Sequence, residues 1–380
     1  DAIDVAAAEF ALDGSAIVMR PLGFAERPWP EALRAQLLAA LPPAPVSMGE
    51  VCQLDVAVGE AFAAAAAWAV RELAGGNAEL IASHGQNVFH WVEGGRARGT
   101  LQIGQPACIA ERTGLPVVSD LRAADVAAGG QGAPLASTLD ALWLASPDGA
   151  KRAALNLGGI ANMTVVGRFG EAVLAFDTGP ANCLMDIEAA RITGGAQSSD
   201  LEGRIARAGR VRDDLLARLL AEPYYALEPP KSTGRELFDS GYLARYAAGL
   251  PEVSGPDAMA TLAELTAATI ALGCARAGVV QVVASGGGVR NPALMDALRR
   301  RLAPATLVTA EECGLPSAGK EAYLFALLGF LTWHGLPGVV PGATGSRAQR
   351  ILGRISPGHH PLRLPPPAAR PERLVISVRA

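Results

Sequence analysis

The chain has 380 residues, more than one hydrophobic core usually serves, so two domains are expected. Hydrophobic residues make up 50% and charged residues 18% of the sequence, which excludes an intrinsically disordered protein. The net charge of -4, from 33 basic and 37 acidic side chains, offers no basic surface for a nucleic acid, and no apolar run reaches the roughly 20 residues of a membrane span.

The five cysteines predict reduced thiols. They are scattered in apolar surroundings, their number is odd, and no two form a Cys-x-x-Cys pair. A disulfide framework or a zinc site would need regular pairs, so neither is expected. The sequence shows no signal peptide, and we expect a cytoplasmic protein.

The first 150 residues alternate short apolar runs with amphipathic ones. Asp4–Phe10 and Ala16–Met19 surround the turn Leu12–Ser15 and predict a β-hairpin. Apolar residues recur at helical spacing over Leu54–Leu73, which predicts a long helix after a shorter one at Pro30–Ala39. Further short strands are predicted at Leu80–Ser83, Leu101–Ile103 and Val117–Ser119.

A similar plan starts again near residue 152. Ala153–Leu157 and Asn162–Val166 predict a second hairpin with a glycine-rich turn, and Val173–Phe176 predicts a third strand. Helices and strands then alternate at Met259–Ala277, Val279–Ala284, Leu294–Leu302 and Ala322–Trp333. We therefore expect an α/β protein with a first domain over 1–150, a second over 151–357, and a poorly ordered tail over 358–380.

Two glycine-rich segments follow predicted strands. Gly158 and Gly159 lie in the second hairpin, where bare backbone can turn amide groups towards an anion, although a simple hairpin turn is favoured for this motif alone. Gly286–Gly288 leaves room for a flat ligand such as an adenine, with a flexible loop as the alternative. The Walker A and Rossmann glycine patterns are absent from the sequence.

Asp177, in the segment Asp-Thr-Gly-Pro-Ala-Asn, follows the third predicted strand of the second domain. Ligands of α/β sheets bind beyond the carboxyl ends of strands, and a carboxylate there can act as a general base or hold a metal. The alternative, given even weight, is a side chain that caps the following helix.

The polar segments of the first domain have open roles. For the histidines of Ser83–His90, packing or hydrogen bonding is favoured over metal binding. Arg122 could bind a carboxylate or phosphate, or form a surface ion pair with Asp120 and Asp125 just before the rigid turn Gly129–Leu135.

One polar segment of the second domain, Lys231–Glu236, is broken by a glycine. It is either a loop that contacts an anion or closes over a site, or a solvated loop, and the two are given equal weight.

Taken in order along the chain, these segments resemble the anhydro-N-acetylmuramic acid kinase family, from residue 1 to about 357. Each motif is weak alone, whereas the ordered set is specific. The matching segments are Asp1–Asp4, Ser83–Gln86 with His90, Thr100–Gly104, Asp120–Arg122 with Asp125, Gly129–Pro134, Asn156–Asn162, Phe176–Asn182, Lys231–Arg235, Thr261–Thr266, Gly286–Gly288 with Asn291, and Glu321–Ala322.

The resemblance implies two RNase H-like domains of the actin-like ATPase type that flank a central cleft. It also implies a cytoplasmic, homodimeric enzyme of peptidoglycan recycling and amino-sugar catabolism. Its substrates would be ATP with Mg²⁺, water and 1,6-anhydro-N-acetylmuramic acid. The anhydro bridge would be hydrolysed and O6 phosphorylated, giving N-acetylmuramic acid 6-phosphate and ADP, with no nucleic acid or membrane as partner.

The resemblance assigns roles to particular residues. Asp177 matches the family's base, which would take a proton from the attacking water. The residues expected to bind ATP are Asp1, Asp4, Gly158, Gly159, Asn162, Gly286, Gly287, Gly288 and Asn291. Asp1 is also the expected Mg²⁺ ligand. The residues expected to bind the sugar are Gln86, Asn87, Arg122 and Glu321.

The chain departs from the family pattern in three places. The family opens with a strand and a Gly-Thr-Ser-x-Asp-Gly-x-Asp loop, of which Asp1 and Asp4 are found here. A chain that truly starts at Asp1 would be expected to have weak ATP affinity and an unstable first domain. Asn87 replaces a usual threonine, and Ala181 replaces a usual glycine. Two alternatives therefore stay open: a kinase of the same fold for another sugar or small acid, and a catalytically silent binding relative.

Overall fold

The computed structural model describes residues 2–377, and its contacts divide the chain into two compact units. Unit 1 comprises Asp1–Trp143 and Gly314–Ala380, and unit 2 comprises Leu144–Cys313. The observed first boundary lies near the expected one at 150. The second differs from the expected one, because residues 314–357 join unit 1 instead of extending the second domain.

The elements alternate between strands and helices, which confirms the predicted α/β class. The strands are β1 (Ile3–Asp13), β2 (Ala16–Arg27), β3 (Ile81–Ala82), β4 (Gln86–Glu93), β5 (Arg96–Ile103), β6 (Val117–Ser119), β7 (Arg152–Leu157), β8 (Ile160–Val166), β9 (Leu174–Pro180), β10 (Gln281–Ser285), β11 (Thr306–Thr309), β12 (Arg354–Ser356) and β13 (Arg373–Ile376). The α-helices are α1 (Glu31–Ala39), α2 (Met48–Glu72), α3 (Pro106–Thr113), α4 (Ala123–Ala127), α5 (Ala136–Trp143), α6 (Asn182–Ile192), α7 (Arg204–Ala208), α8 (Asp213–Leu220), α9 (Tyr242–Ala247), α10 (Gly255–Ala277), α11 (Pro292–Leu302), α12 (Lys320–Trp333) and α13 (Pro341–Thr344). Short 3₁₀ helices span Leu201–Gly203, Pro223–Ala226 and Gly287–Arg290.

Unit 2 is built on one five-stranded sheet in the order β11-β10-β7-β8-β9. Strands β7, β8 and β9 are antiparallel, whereas β10 runs parallel to both β7 and β11. This arrangement is that of an RNase H-like sheet. Because β7 and β10 are parallel neighbours, their carboxyl ends lie at the same edge of the sheet.

The core of unit 2 lies around the central strands and helix α10. Strand β10 is almost continuously buried over Val282–Ser285, as expected of a parallel strand that is covered on both faces. Helix α10 packs against α6, α8 and α11 and presents buried residues along most of its length. It begins at Gly255 because the Ser254 side chain accepts the amide of Asp257 at 3.2 Å, four residues before the expected start.

The described part of unit 1 has three smaller sheets. The hairpin β1-β2 is antiparallel, as predicted, and Gly14 adopts the left-handed φ of 57° that its tight turn needs. Strand β3 runs parallel to β6, and β4 and β5 form a second hairpin. The predicted plan of a hairpin, a third strand and then alternating helices and strands is found in unit 2, whereas in unit 1 the hairpin β1-β2 and the strands β3 and β6 belong to separate sheets.

The expectation of a poorly ordered tail is wrong for its last described segment. Strand β13 pairs in parallel with β2 through Arg373↔Ala16 to Ile376↔Met19, and it lies against α5. Leu374 is 4% exposed, so its burial anchors the segment.

Helix α2 begins six residues before the predicted start at Leu54. Ser47 and Glu50 form a capping box, in which the Ser47 hydroxyl accepts the Glu50 amide at 3.2 Å and the Glu50 carboxylate accepts the Ser47 amide at 2.6 Å. These reciprocal bonds satisfy amide groups that a helix start otherwise leaves without partners.

Among residues 2–377, two helices are long and apolar enough to cross a membrane when length and composition alone are considered. They are α2 and α10, and the most apolar window of α10 is 78% buried inside unit 2. Such burial is typical of a core helix, and one or two helices of this kind are weak evidence for a membrane span.

A cavity of about 740 Å³ lies within unit 1. Strand β1, residues 77–86, and faces of α2 and α12 line it. Its walls include the apolar rings Phe10, Phe325 and Phe330 together with polar residues at the end of β3.

Candidate functional site

Asp177 lies in the middle of β9, half-buried, opposite Asn162 of β8. Its carboxylate Oδ2 accepts the backbone amide of Thr233 at 2.9 Å, and its own backbone amide donates to the carbonyl of Lys231 at 3.0 Å. Its backbone carbonyl accepts the Tyr224 hydroxyl at 2.8 Å. The alternative of a helix cap is wrong, because α6 begins at Asn182 and Asp177 lies within the strand.

The surroundings of Asp177 suit a base. Burial raises the pKa of its carboxyl group, and the hydrogen bond from the Thr233 amide opposes that rise. Within residues 2–377, the other carboxylate oxygen, Oδ1, receives no hydrogen bond, and it is not among the buried polar atoms that lack a partner. One oxygen is thus fixed while the other can accept a proton.

The two glycine-rich segments of unit 2 lie together at the carboxyl ends of β7 and β10. Gly286 has a φ of 86°, and a Cβ there would be 2.5 Å from the Asn156 Oδ1 atom. A Cβ on Gly288 would be 2.6 Å from the Cβ of Leu157. The flexible-loop alternative is wrong, because residues 287–290 form a 3₁₀ helix packed on the end of β7.

Hydrogen bonds fasten both glycine segments to neighbouring helices. The Gly158 carbonyl accepts the amide of Asn182 at 3.0 Å and its side chain at 2.7 Å, and the Gly159 carbonyl accepts the amides of Ala181 and Cys183. The Asn291 side chain is buried and accepts the first amides of α11, at 3.1 and 3.3 Å. Asn291 therefore has a structural role as the cap of α11.

The segment Lys231–Glu236 joins Asp177 to the glycine turn, while its residues Ser232, Arg235 and Glu236 are exposed. Its first residues bond Asp177, and the Arg235 guanidinium lies 3.5 Å from the position of a Cβ on Gly159. The charge of Arg235 acts on Asp186 and Cys183, whose pKa values are nevertheless raised by burial, that of Cys183 to about 11. The segment thus brings a cation to the turn.

In unit 1, Arg122 is held by two hydrogen bonds. Its Nε donates to Nε2 of His84 at 2.7 Å and its Nη1 donates to the carbonyl of Gly132 at 2.7 Å. In the described part of the chain Nη2 has no hydrogen-bond partner, so it can bind an anionic group. Glu321 is close enough to act on the pKa of Arg122.

Sequence reasoning left the role of His84 open, and the structure gives it one. The ring stacks on Phe325 at 4.4 Å, and burial, with a smaller effect of Arg122, lowers the pKa of His84 to about 4. A neutral ring can accept the Arg122 hydrogen bond, which is the hydrogen-bonding alternative that the sequence favoured over metal binding. In the part of the chain that the structure describes, no group of three or more His, Cys, Asp or Glu side chains could hold a metal.

The surface ion pair expected as an alternative among Asp120, Arg122 and Asp125 is wrong. Asp125 is fully buried and accepts the Gly132 amide at 2.7 Å and the Thr344 hydroxyl at 2.8 Å. Asp120 pairs with Arg354 at 2.8 Å. Asp125 and Arg122 thereby hold the turn at Gly132 from both its amide and its carbonyl.

The other expected ligand residues of unit 1 lie around the cavity or beside it. Asp4, Gln86 and Glu321 line the cavity together with His84. Burial raises the pKa of Asp4, and the charges of Glu26 and Glu321 raise it further. Asn87 is not part of the lining; it is exposed in β4 and accepts Nε2 of Gln102 at 2.9 Å. Asp1 lies outside the described residues.

These features define an α/β protein with a half-buried carboxylate and glycine turns in one unit and a cavity of mixed apolar and polar lining in the other. The model of the anhydro-N-acetylmuramic acid kinase family matches residues 1–358. The chain belongs to this family, which confirms the resemblance found from the motifs.

Relatives from two Streptomyces species bear the name anhydro-N-acetylmuramic acid kinase. The relative from Streptomyces avermitilis is 54% identical over 377 residues, which cover 99% of this chain and 97% of the relative. The relative from Streptomyces coelicolor is 54% identical over 375 residues, which cover 99% and 95%. A relative of the same name from Rhodococcus erythropolis is 52% identical over 364 residues, which cover 94% and 91%.

Similar solved structures include a ROK hexokinase from Thermus thermophilus and an activator of 2-hydroxyisocaproyl-CoA dehydratase from Clostridium difficile with bound ADPNP. The hexokinase is 19% identical with a TM-score of 0.31, and the match covers 87% of this chain and 99% of the hexokinase. The activator is 17% identical with a TM-score of 0.35, and the match covers 66% and 92%. TM-scores this low carry no argument about function.

Proposed function

We propose that this protein uses ATP and water to open the 1,6-anhydro bridge of 1,6-anhydro-N-acetylmuramic acid and to phosphorylate O6. The products are N-acetylmuramic acid 6-phosphate and ADP. Family membership supports this assignment. The observation that carries the mechanism is the half-buried Asp177 carboxylate, with Oδ2 held by the Thr233 amide and Oδ1 free to take a proton.

The reaction joins a hydrolysis to a phosphoryl transfer. Asp177 takes a proton from water as the water oxygen bonds to C1 of the sugar, and the bond from C1 to the bridging oxygen breaks. The released oxygen, O6, forms a bond to the γ-phosphorus of ATP, while the bond from that phosphorus to the β,γ-bridging oxygen breaks and ADP leaves. The proton on Asp177 then passes to solvent, so the base is regenerated.

Unit 2 supplies the groups proposed to bind ATP. Gly158, Gly159 and Asn162 would contact the phosphates, because the turn is short of side chains and is fixed to α6. Gly286–Gly288 with Asn291 would border the nucleoside, as the packing of this segment on β7 brings the two glycine segments side by side. Phosphoryl transfer requires such positioning and charge neutralisation more than covalent participation.

Mg²⁺ is proposed to accompany ATP, and it would supply charge neutralisation of the phosphates. Asp4 would be the described carboxylate closest to this role, because burial and then the charges of Glu26 and Glu321 raise its pKa, and a divalent cation would favour its charged form. Asp1, the residue expected to hold the metal, lies outside the described residues.

Unit 1 supplies the groups proposed to bind the sugar. Arg122 would bind the lactyl carboxylate through its free Nη2, since Nε and Nη1 are already engaged. Gln86 and Glu321, which line the unit 1 cavity, and the exposed Asn87 would bind polar groups of the sugar. We further propose a cytoplasmic homodimer that acts in peptidoglycan recycling and amino-sugar catabolism.

The substrate assignment is tested by measuring turnover of 1,6-anhydro-N-acetylmuramic acid, N-acetylglucosamine and acetate under the same conditions with ATP and Mg²⁺. We expect the anhydro sugar to be turned over to ADP and N-acetylmuramic acid 6-phosphate. Its kcat/KM should exceed that of either comparison substrate at least about a hundredfold, since of the three only this sugar has both a carboxylate for Arg122 and a sugar ring for the other proposed ligands. Preference for either comparison substrate identifies another kinase of the same fold. Absence of ATP binding by calorimetry to the folded chain identifies a silent relative.

A further inference from the structure

The Lys231 ammonium group is engaged with the short 3₁₀ helix Pro223–Ala226. Its Nζ donates to the carbonyl of Tyr224 at 3.1 Å and to that of Tyr225 at 3.2 Å, and it lies 4.7 Å from the centroid of the Tyr224 ring. A cation that bridges two backbone carbonyls and also rests on an aromatic face fixes the relative position of the two segments.

The helix that receives Lys231 is itself immobilised in the core of unit 2. Tyr224 and Tyr225 are 6% and 3% exposed. The Tyr225 ring stacks on Phe238 at 6.3 Å, and its hydroxyl is 3.2 Å from that of Tyr242. This helix is therefore a rigid support to which a loop can be fastened.

From this support, three hydrogen bonds reach Asp177. The Tyr224 hydroxyl binds the Asp177 carbonyl at 2.8 Å, the Lys231 carbonyl accepts the Asp177 amide at 3.0 Å, and the Thr233 amide binds Oδ2 at 2.9 Å. The backbone and one carboxylate oxygen of the proposed base are thus held by one continuous segment, residues 224–233.

We propose that Lys231 and Tyr224 form a clamp that positions the Asp177 carboxylate, with the Lys231 ammonium fastening the loop that carries the Thr233 amide. Lys231 and Tyr224 are positioning residues, since they act on the reacting atoms through Asp177. The proposal rests on the proposed function, in which Asp177 is the base.

The charged neighbours of the clamp are consistent with this role. Burial lowers the pKa of Lys231, the charge of Arg276 lowers it further, and Glu228 opposes both. Burial raises the pKa of Tyr224, and the charge of Asp177 adds to that rise, so its hydroxyl stays a hydrogen-bond donor at neutral pH. At Asp177, burial raises the pKa and the Thr233 amide lowers it.

The test uses Lys231→Met, which keeps an unbranched apolar chain and removes the ammonium group, and Tyr224→Phe, which keeps the ring and removes the hydroxyl. Lys151→Met is the matched control, because Lys151 is an exposed lysine of the same unit. We expect kcat with the anhydro sugar to fall roughly tenfold in both clamp variants, since Tyr224→Phe loses one hydrogen bond and Lys231→Met loses two that hold the positioned group, with the KM for ATP unchanged. Lys231→Arg should restore part of the loss.

The pH profile separates positioning from stability. When the Thr233 amide is no longer held against Oδ2, the pKa of Asp177 rises, so the acidic limb of the profile of kcat/KM moves to higher pH in Lys231→Met. A lower melting temperature with an unmoved acidic limb would overturn the proposal, as would wild-type kcat in both clamp variants.

A second readout is independent of turnover. Carbon-13 NMR titration of the Asp177 carboxyl, assigned by its disappearance in Asp177→Asn, should give a higher pKa in Lys231→Met than in the wild type and in Lys151→Met. An unchanged pKa contradicts the clamp. If the wild type fails to turn over the anhydro sugar while this shift is present, the proposed function fails and the clamp stands.

Discussion

The guanidinium of Arg122 and the imidazole of His84 are joined by a 2.7 Å hydrogen bond from Nε to Nε2. This bond requires Nε2 of His84 to be without a proton, and burial beside Phe325 favours that neutral form. His84 therefore occupies Nε of Arg122 and the Gly132 carbonyl accepts Nη1, which leaves Nη2 available for the anionic group that Arg122 is proposed to bind.

The His84 pKa predicts a dependence of stability on pH. Its value in the folded protein, about 4, is below the ordinary 6.5, so the unfolded chain binds a proton that the folded chain rejects. The contribution to the free energy of unfolding is complete above pH 6.5 and is lost as the pH falls from 6.5 towards 4. Urea denaturation across this pH range should show that the free energy of unfolding falls less steeply with falling pH in His84→Gln than in the wild type.

An exposed histidine provides the control for that measurement. His360→Gln should leave the pH dependence of the wild type unchanged, because His360 is exposed. If plots of the free energy of unfolding against pH were parallel for the wild type and His84→Gln between pH 6.5 and 4, they would contradict the assignment of His84 as a neutral, buried hydrogen-bond acceptor.

Asp177→Asn is expected to fold normally and to lose activity. The Asn side-chain oxygen can accept the Thr233 amide in place of Oδ2, and the burial that raises the pKa of Asp177 makes its charge costly to keep. Removal of a general base lowers kcat by about 10²- to 10⁴-fold. Asp186→Asn is the control, since burial also raises the pKa of Asp186. Turnover by Asp177→Asn equal to that of the control would exclude Asp177 as the base.

Much of the fold could be predicted because its signals are local. The hairpin β1-β2 follows from alternating residues around an Asp-Gly turn, and the glycine segments could be located from the strands that precede them. The sequence predicts Asp177 just after a strand, but it lies within β9, which continues to Pro180. The spacing of apolar residues places the start of α2 too late, at Leu54. The Ser-x-x-Glu capping box at Ser47 and Glu50 is the local signal that marks the true start.

The contacts that complete the candidate site are not local. Tyr224 and Thr233 reach Asp177 from 47 and 56 residues away, and Arg122 reaches His84 from 38. No periodicity or composition reports such pairings, since they depend on how the chain returns to the sheet edge. The roles in ATP and sugar binding stay predictions.

Gly288→Ala should destabilise unit 2. The added Cβ would lie 2.6 Å from the Cβ of Leu157 on the buried side of the segment, where backbone has to move. Overpacking of this kind costs about 1–3 kcal/mol in the free energy of unfolding. Gly287→Ala is the matched control, because its nearest atom would be the mobile end of Arg290 at 3.8 Å. Equal melting temperatures for the two variants would contradict the packing described for this segment.

Leu374→Ala should destabilise unit 1, although Leu374 lies in a segment that composition predicts to be a poorly ordered tail. Leu374 is 4% exposed, pairs with Ile17 of β2, and lies in the strand that packs against α5. Loss of a buried leucine side chain costs about 2–5 kcal/mol. The adjacent Val375 is 41% exposed, so Val375→Ala should change the free energy of unfolding by about 0.5 kcal/mol at most. Urea denaturation gives the free energy of unfolding of each variant. Both substitutions lower the strand propensity of β13, so a difference between the two variants reports the burial of Leu374. Equal midpoints would mean that β13 does not stabilise unit 1.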